Sequence, residues 1–186
     1  MTDAAERTHE VVMAGFGGQG VMLIGQLLAY AGMTEGKQVT WLPSYGPEMR
    51  GGTANCTVVV SEGPVASPVV SRPSVALVLN GPSLDRFEPV VREGGLLIVN
   101  TSLSHRPVER TDLRVIEVPA TAIADELGDG RVANMVMLGA LLEATGVVRS
   151  QSIVQSLRQV LPERRHALIP LNEQALVRGA AVVAAG

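Results

Sequence analysis

Cysteine is almost absent from this chain: Cys56 is the single one in 186 residues. One thiol excludes an internal disulfide and cannot supply the four thiolates that an iron–sulfur cluster needs. Aromatic residues are nearly as scarce at 3%, which argues against base recognition by stacking. Positive charge is not in excess either: 15 Lys and Arg face 18 Asp and Glu, for a formal net charge of −3. Nucleic acid is therefore not an expected partner. No apolar run is long enough to span a bilayer, and Met1 to Glu10 is polar, without a signal-peptide core. No membrane association is expected, and the cytoplasm is the default compartment. The three histidines, His9, His105 and His166, have no Cys or Asp at ligand spacing, so none is a metal candidate.

What is abundant is aliphatic. Hydrophobic residues make up 46%, and with so few aromatics the core must be built from Val, Leu, Ala, Ile and Met. That balance suits a sheet buried on both faces. The length is that of one domain, with residues 1–8 as a loose polar lead and 9–186 as the folded unit.

Two glycine-rich loops carry the functional signal. The first, Gly15-Phe16-Gly17-Gly18-Gln19-Gly20, is entered from the apolar run Val11 to Ala14 and left into Val21, Met22, Leu23, Ile24, Leu27 and Leu28 at helical spacing. Strand, glycine turn and helix form the context in which G-x-G-x-x-G has meaning. Glycine permits positive φ and close approach of a phosphate, and the free N–H groups of a helix N-terminus attract an anion. The second loop, Ser44-Tyr45-Gly46-Pro47-Glu48-Met49-Arg50-Gly51-Gly52, follows the next apolar strand. Together they point to a phosphate-bearing ligand at one edge of a parallel sheet. An NAD site would place an acid about twenty residues past the glycine turn to hold the ribose. Here the second strand, Val39 to Leu42, ends in Pro43-Ser44-Tyr45, and Glu35 precedes it. A G-x-x-x-x-G-K-[ST] loop is also lacking.

Along the chain, the first helix is expected from about Gly18 to Ala31, with Gly32 and Gly36 closing it. Thr53 to Ser61 reads as a strand with one more polar face. Glu62 to Pro73, with three prolines, reads as an extended surface excursion. Val75 to Leu79, Leu96 to Val99 and Val115 to Val118 are short apolar strands. Ser83 is expected to cap a helix through Val91. The last third reads as helices over Ala120 to Leu127, Val132 to Ala144, Ser150 to Leu161 and Leu171 to Ala185. This alternation predicts an α/β fold: a three-layer, Rossmann-like, mostly parallel sheet with a C-terminal helical cap.

At G-F-G-G-Q-G and S-Y-G-P-E-M-R-G-G the chain resembles the gamma subunit of 2-oxoacid:ferredoxin oxidoreductases. The likeness continues through T-A-N-C-T-V-V-V-S and P-V-A-S-P-V-V (Pro64 to Val70). It returns at V-A-N-M-V-M-L-G-A (Val132 to Ala140) and N-E-Q-A-L-V-R-G (Asn172 to Gly179). The resemblance implies a multi-subunit enzyme that converts a 2-oxoacid and coenzyme A to acyl-CoA and carbon dioxide, reducing ferredoxin. It places thiamine diphosphate on alpha and beta partners, and iron–sulfur clusters on beta and a ferredoxin-like subunit. The gamma part is associated with coenzyme A capture and subunit packing, would be inactive alone, and in isolation could pair with itself. Overall likeness puts 2-oxoglutarate first as substrate, ahead of pyruvate, branched-chain oxoacids and indolepyruvate.

On this reading coenzyme A meets Gly15, Phe16, Gly17, Gly18, Gln19, Gly20, Ser44, Tyr45, Glu48, Arg50, Gly51, Gly52 and Asn80, none of them catalytic. The plainer alternatives stay open: the glycines as a tight strand–helix turn, Glu48 and Arg50 as an exposed pair or an interface contact, Asn80 and Asn100 as turn formers. Cys56 is expected to be a buried, inert thiol, and Asn134 a buried amide that pins a loop. Met135 and Met137 are expected as core or interface filling, with their helix and the Pro64 to Pro73 excursion offering apolar surface to partners. Two other functions compete: a free-standing nucleotide-binding or NAD-linked protein, and a pure assembly scaffold.

Overall fold

The computed structural model describes residues 8–44 and 53–186. Strand β1 (Thr8–Phe16) enters the first glycine turn, and α1 (Val21–Thr34) leaves it. Then come β2 (Gln38–Ser44), β3 (Thr53–Ser61), β4 (Val75–Val78), α2 (Gly81–Phe87), β5 (Leu96–Asn100), β6 (Arg114–Val118), α3 (Ala120–Glu126), α4 (Ala133–Thr145), α5 (Ser150–Val160) and α6 (Ile169–Ala185). One six-stranded sheet has the order β2-β3-β1-β4-β5-β6. Strands β1, β4, β5 and β6 pair in parallel, while β3 runs antiparallel to both β1 and β2. The expected mostly parallel α/β sheet is thus present, with β3 as its one reversed strand.

Alternation along the strands divides the core in two. Val11, Met13, Val58, Leu77 and Ile98 face a thick layer built from α1, α3, α4, α5 and α6. Val12, Ala14, Val78, Leu97 and Val99 face a thin one, covered by Leu84 and Phe87 of α2. Helix α4 is buried on nearly every side, from Asn134 to Leu142, because α6 covers the face that the sheet does not. Its all-round apolar sequence is what such a sandwiched helix requires. Gly139 and Gly179 make the α4–α6 crossing: a Cβ on either would overlap a carbonyl of the other helix, that of Leu176 or of Val136 respectively.

Several boundaries differ from the sequence reading, each for a local reason. Helix α1 begins at Val21, since Gly18 and Gly20 adopt left-handed φ of 93° and 77°, and it passes through Gly32 to stop before Gly36. Ser83 does not cap α2. Asn80 does, its Oδ1 accepting from Ser83 N at 2.9 Å, while the Ser83 hydroxyl is buried without a partner among the described residues. The helix ends at Phe87, and a 3-10 turn over Glu88–Val90 follows. Met135 and Met137 are fully buried, so they fill the core and offer no surface to a partner. The excursion over 62–73 is irregular, with Val69 72% exposed.

Two carboxylates, Glu88 buried and Glu35 half-buried, fasten loops to this frame. Glu88 accepts from Arg106 Nη1 (2.8 Å), Glu109 N (2.6 Å) and Arg110 N (2.8 Å). Burial pushes its carboxyl up, but these donors outweigh burial and hold it below its usual range. Glu35 accepts from Arg149 N and Ser152 Oγ, each at 2.7 Å, satisfying donors at the start of α5. Among the described residues no helix is long and apolar enough to cross a membrane.

Candidate functional site

Because β1, β4, β5 and β6 are parallel, Phe16, Val78, Asn100 and Val118 reach the same sheet edge, where open α/β sheets bind ligands. Strand β2 runs in the same direction as β1, so Ser44 ends there too. Thr53, which reopens the described chain, pairs with Phe16 in register. Ser44 and Thr53, the described residues that flank the second glycine loop, therefore lie at the same edge as the first loop. Tyr45, Glu48, Arg50, Gly51 and Gly52 lie outside the described residues.

The first loop is tightly made. Gly20 is the N-cap of α1, no side chain among the described residues caps that helix, and its first-turn N–H groups have no intrahelical acceptor. Phe16, Gly17 and Gly18 are exposed and Gly15 is buried. A Cβ at Gly15 would meet Gln19 Oε1 at 2.7 Å and Leu79 Cβ at 3.2 Å, so the chain here passes too close to its neighbours for a side chain. Among the described residues nothing lies within 4 Å of a Cβ built on Gly18, so that side of the loop is open.

The polar side chains around the loop are engaged with it. Gln19 Oε1 accepts from Phe16 N at 2.6 Å and from Asn80 Nδ2 at 2.9 Å. Asn134, 4% exposed on α4, donates from Nδ2 to the Gly20 carbonyl at 3.3 Å, the loop-pinning amide expected from its place in an apolar helix. Asn100 is fully occupied: it donates to the Leu79 carbonyl and Thr121 Oγ1, and accepts from Ser102, Ala120 and Thr121 N–H. It is a turn and cap residue. Cys56 is buried, and desolvation pushes its thiol up to about 12, which makes it inert at neutral pH. Glu35 is committed to α5 and is unavailable as a ribose-binding acid.

A cavity of about 260 Å³ opens beside the loop, lined by Gly18, Gly20 and Leu23 from the front of α1 and by Asp129, Arg131, Val132, Asn134, Leu161, Arg165, Leu168 and Asn172 from the C-terminal third. Asp129 and Arg131 neutralise each other: Arg131 Nη2 lies 2.6 Å from Asp129 Oδ2, and this hydrogen bonding holds the Asp129 carboxyl down to about 2. Arg165 has no ion-pair partner among the described residues and brings an unneutralised cation to the cavity. The sequence reading missed Arg131, Arg165, Asn172 and Leu168, since no motif or spacing links them to the glycine turn. Two larger grooves, of about 470 and 490 Å³, flank the exposed Val177 on α6. Neither touches the glycine loop, so the smaller cavity, which does, is the candidate site.

The family described as Pyruvate ferredoxin/flavodoxin oxidoreductase matches residues 10–182. The ketoisovalerate oxidoreductase subunit VorA of Methanothermobacter marburgensis is 47% identical over 140 residues, 75% of this chain and 29% of VorA. The chain thus spans under a third of that relative's length. The 2-oxoglutarate synthase subunit KorC of Methanocaldococcus jannaschii is 34% identical over 157 residues, covering 83% of this chain and 84% of KorC. Among solved structures, the gamma subunit of the keto/oxoacid ferredoxin oxidoreductase from Geobacter sulfurreducens superposes with TM-score 0.82 at 29% identity, covering 96% of this chain and 99% of that one. The 2-oxoglutarate:ferredoxin oxidoreductase of Magnetococcus marinus shares the fold with TM-score 0.88 at 22% identity, over 97% of this chain and 32% of that one. Matched along nearly its whole length and folded like a gamma subunit, the chain belongs to the pyruvate ferredoxin/flavodoxin oxidoreductase family.

Proposed function

We propose that this chain is the gamma subunit of a 2-oxoacid:ferredoxin oxidoreductase and contributes the coenzyme A site. The assembled enzyme would convert a 2-oxoacid and coenzyme A to acyl-CoA and carbon dioxide, passing two electrons to ferredoxin. Thiamine diphosphate supplies the carbanion chemistry of such reactions, and we assign it to alpha and beta partners. The iron–sulfur clusters go to beta and a ferredoxin-like subunit. One buried, inert cysteine offers no ligand set for a cluster, which supports that division of labour. The chain's own part is to bind and orient, without proton transfer or a nucleophile of its own.

The observation that carries the reading is the cavity that joins Gly18, Gly20 and the uncapped start of α1 to Arg165 and Arg131. Backbone N–H groups and a guanidinium with no ion-pair partner among the described residues, at one opening, suit a diphosphate. Leu23, Leu161 and Leu168 give an apolar wall for a pantetheine arm. Arg50 of the second loop is proposed as a further cation. The Magnetococcus marinus enzyme was solved with 2-oxoglutarate, coenzyme A and succinyl-CoA bound, so coenzyme A is the ligand to test.

Calorimetric titration of coenzyme A into the assembled enzyme tests the site. A charge-assisted hydrogen bond is worth about 1.5–3 kcal/mol, so Arg165→Ala should weaken binding about tenfold or more. Gly18→Val should do worse, because it fills the space over the loop and needs a backbone conformation that valine avoids. Wild-type affinity in both variants, with assembly lost, would favour the scaffold reading. For the substrate, 2-oxoglutarate remains the first proposal. The 47% identity to a ketoisovalerate subunit makes a branched-chain 2-oxoacid the second, and turnover with each acid decides between them.

A further inference from the structure

The carboxamide of Gln19 is the one side-chain amide inside the glycine turn, yet its oxygen faces inward. It accepts from the Phe16 backbone at 2.6 Å and from Asn80 Nδ2 at 2.9 Å. Asn80 is 1% exposed and uses its other carboxamide atom to cap α2 through Ser83 N. Each atom of that carboxamide is committed, and the two commitments run in opposite directions, one to the helix and one to the loop. On the far side of the turn, Asn134 holds the Gly20 carbonyl from a buried helix. The turn is thus fastened at both ends by buried amides standing on rigid elements.

We infer that Gln19 and Asn80 are positioning residues for the coenzyme A site: they hold the turn in the shape that presents its backbone N–H groups, and do not touch the ligand through the Gln19 oxygen. The inference rests on the coenzyme A reading. A glycine-rich turn is free to adopt many conformations, and an anion bound by backbone N–H groups needs one of them held in advance. The Gln19–Asn80 hydrogen bond supplies that order and ties it to the strand end that also starts α2.

The test is a double-mutant cycle on the assembled enzyme, read as KM for coenzyme A and kcat. Asn80→Ser keeps an N-cap for α2 but is too short to reach Gln19, and Gln19→Ala removes the acceptor. Each should raise KM for coenzyme A by about three- to tenfold, the worth of one ordering hydrogen bond, with a smaller change in kcat. The double variant should be no worse than the poorer single variant, because both remove the same fastening. In the chain without coenzyme A, the Phe16 amide should exchange faster in Asn80→Ser, which leaves the Gln19 acceptor in place and acts only by releasing it, an effect that a contact role would not produce. Additive losses in KM, or unchanged Phe16 exchange, would overturn the inference. Arg165→Ala separates the two failures. If it weakens coenzyme A while Asn80→Ser leaves KM unchanged, the positioning role alone falls. If Arg165→Ala has no effect either, the coenzyme A reading falls with it.

Discussion

Replacing Gly179 by alanine would show how closely α4 and α6 meet. At this crossing the added methyl group would overlap the Val136 carbonyl and crowd Ala140 N at 3.1 Å. The obstacle is the α4 backbone, so no side chain can rotate away and the helices must separate. Overpacking of this kind costs typically about 1–3 kcal/mol. Alanine's higher helix propensity returns somewhat under about 1 kcal/mol. Because the clash is with backbone, the cost falls at the upper end of that range, about 2–3 kcal/mol, for a net loss of about 1–2 kcal/mol. For a chain of this size each kcal/mol moves the midpoint by roughly 2–4 °C. Thermal unfolding followed by circular dichroism should therefore show a Tm lower by about 2–8 °C. Gly139→Ala should behave alike, since its methyl group would overlap the Leu176 carbonyl. The two together should cost less than their sum, because the first already spreads the crossing. Gln174→Ala, on the exposed side of α6, is the control and should stay within about 0.5 kcal/mol of wild type. A Gly179→Ala protein as stable as wild type, or more so, would mean that propensity wins and that the close crossing is not real.

Further outcomes follow from other groups. The Glu88 carboxyl is held below its usual value of 4.5 in the folded chain. Its contribution is therefore full above about pH 4.5 and is lost as pH falls through the lowered folded value. Acid titration of wild type against Glu88→Gln should show the variant less stable at pH 7, by about 1–3 kcal/mol, with the gap closing in acid; parallel curves would refute the role. Glu35→Ala should loosen the start of α5, read as faster amide exchange at Arg149, whereas unchanged exchange there would dismiss the clamp. Cys56 should resist Ellman's reagent in the native chain and react fully in guanidinium, and rapid native labelling would contradict its burial. The purified chain alone should show no 2-oxoacid turnover with coenzyme A and ferredoxin, and activity from the lone chain would defeat the subunit reading.

Local chemistry made much of this protein legible from its sequence. Val11 to Ala14 running into Gly15–Gly20 announces a strand, turn and helix, because β-sheet burial and positive φ leave few residues suitable for those positions. The strand at Thr53 to Ser61 and the helices of the last third are found at nearly the expected residues, since period and punctuation are local properties. Asn134 stood out as an amide in an apolar helix, and its partner had to be a buried polar group. Tertiary structure decided what depends on contacts between distant residues. The reversal of β3 follows from pairing, which a strand's own residues do not encode. Asn80 displaces Ser83 as the cap because the carboxamide reaches both Ser83 N and, across 61 residues, Gln19. Arg131 and Arg165 meet the glycine turn only because α4 lies against α1 and the chain after α5 folds back over it. No spacing rule can bring a cation across more than a hundred residues to the side of a glycine turn. Packing places it there.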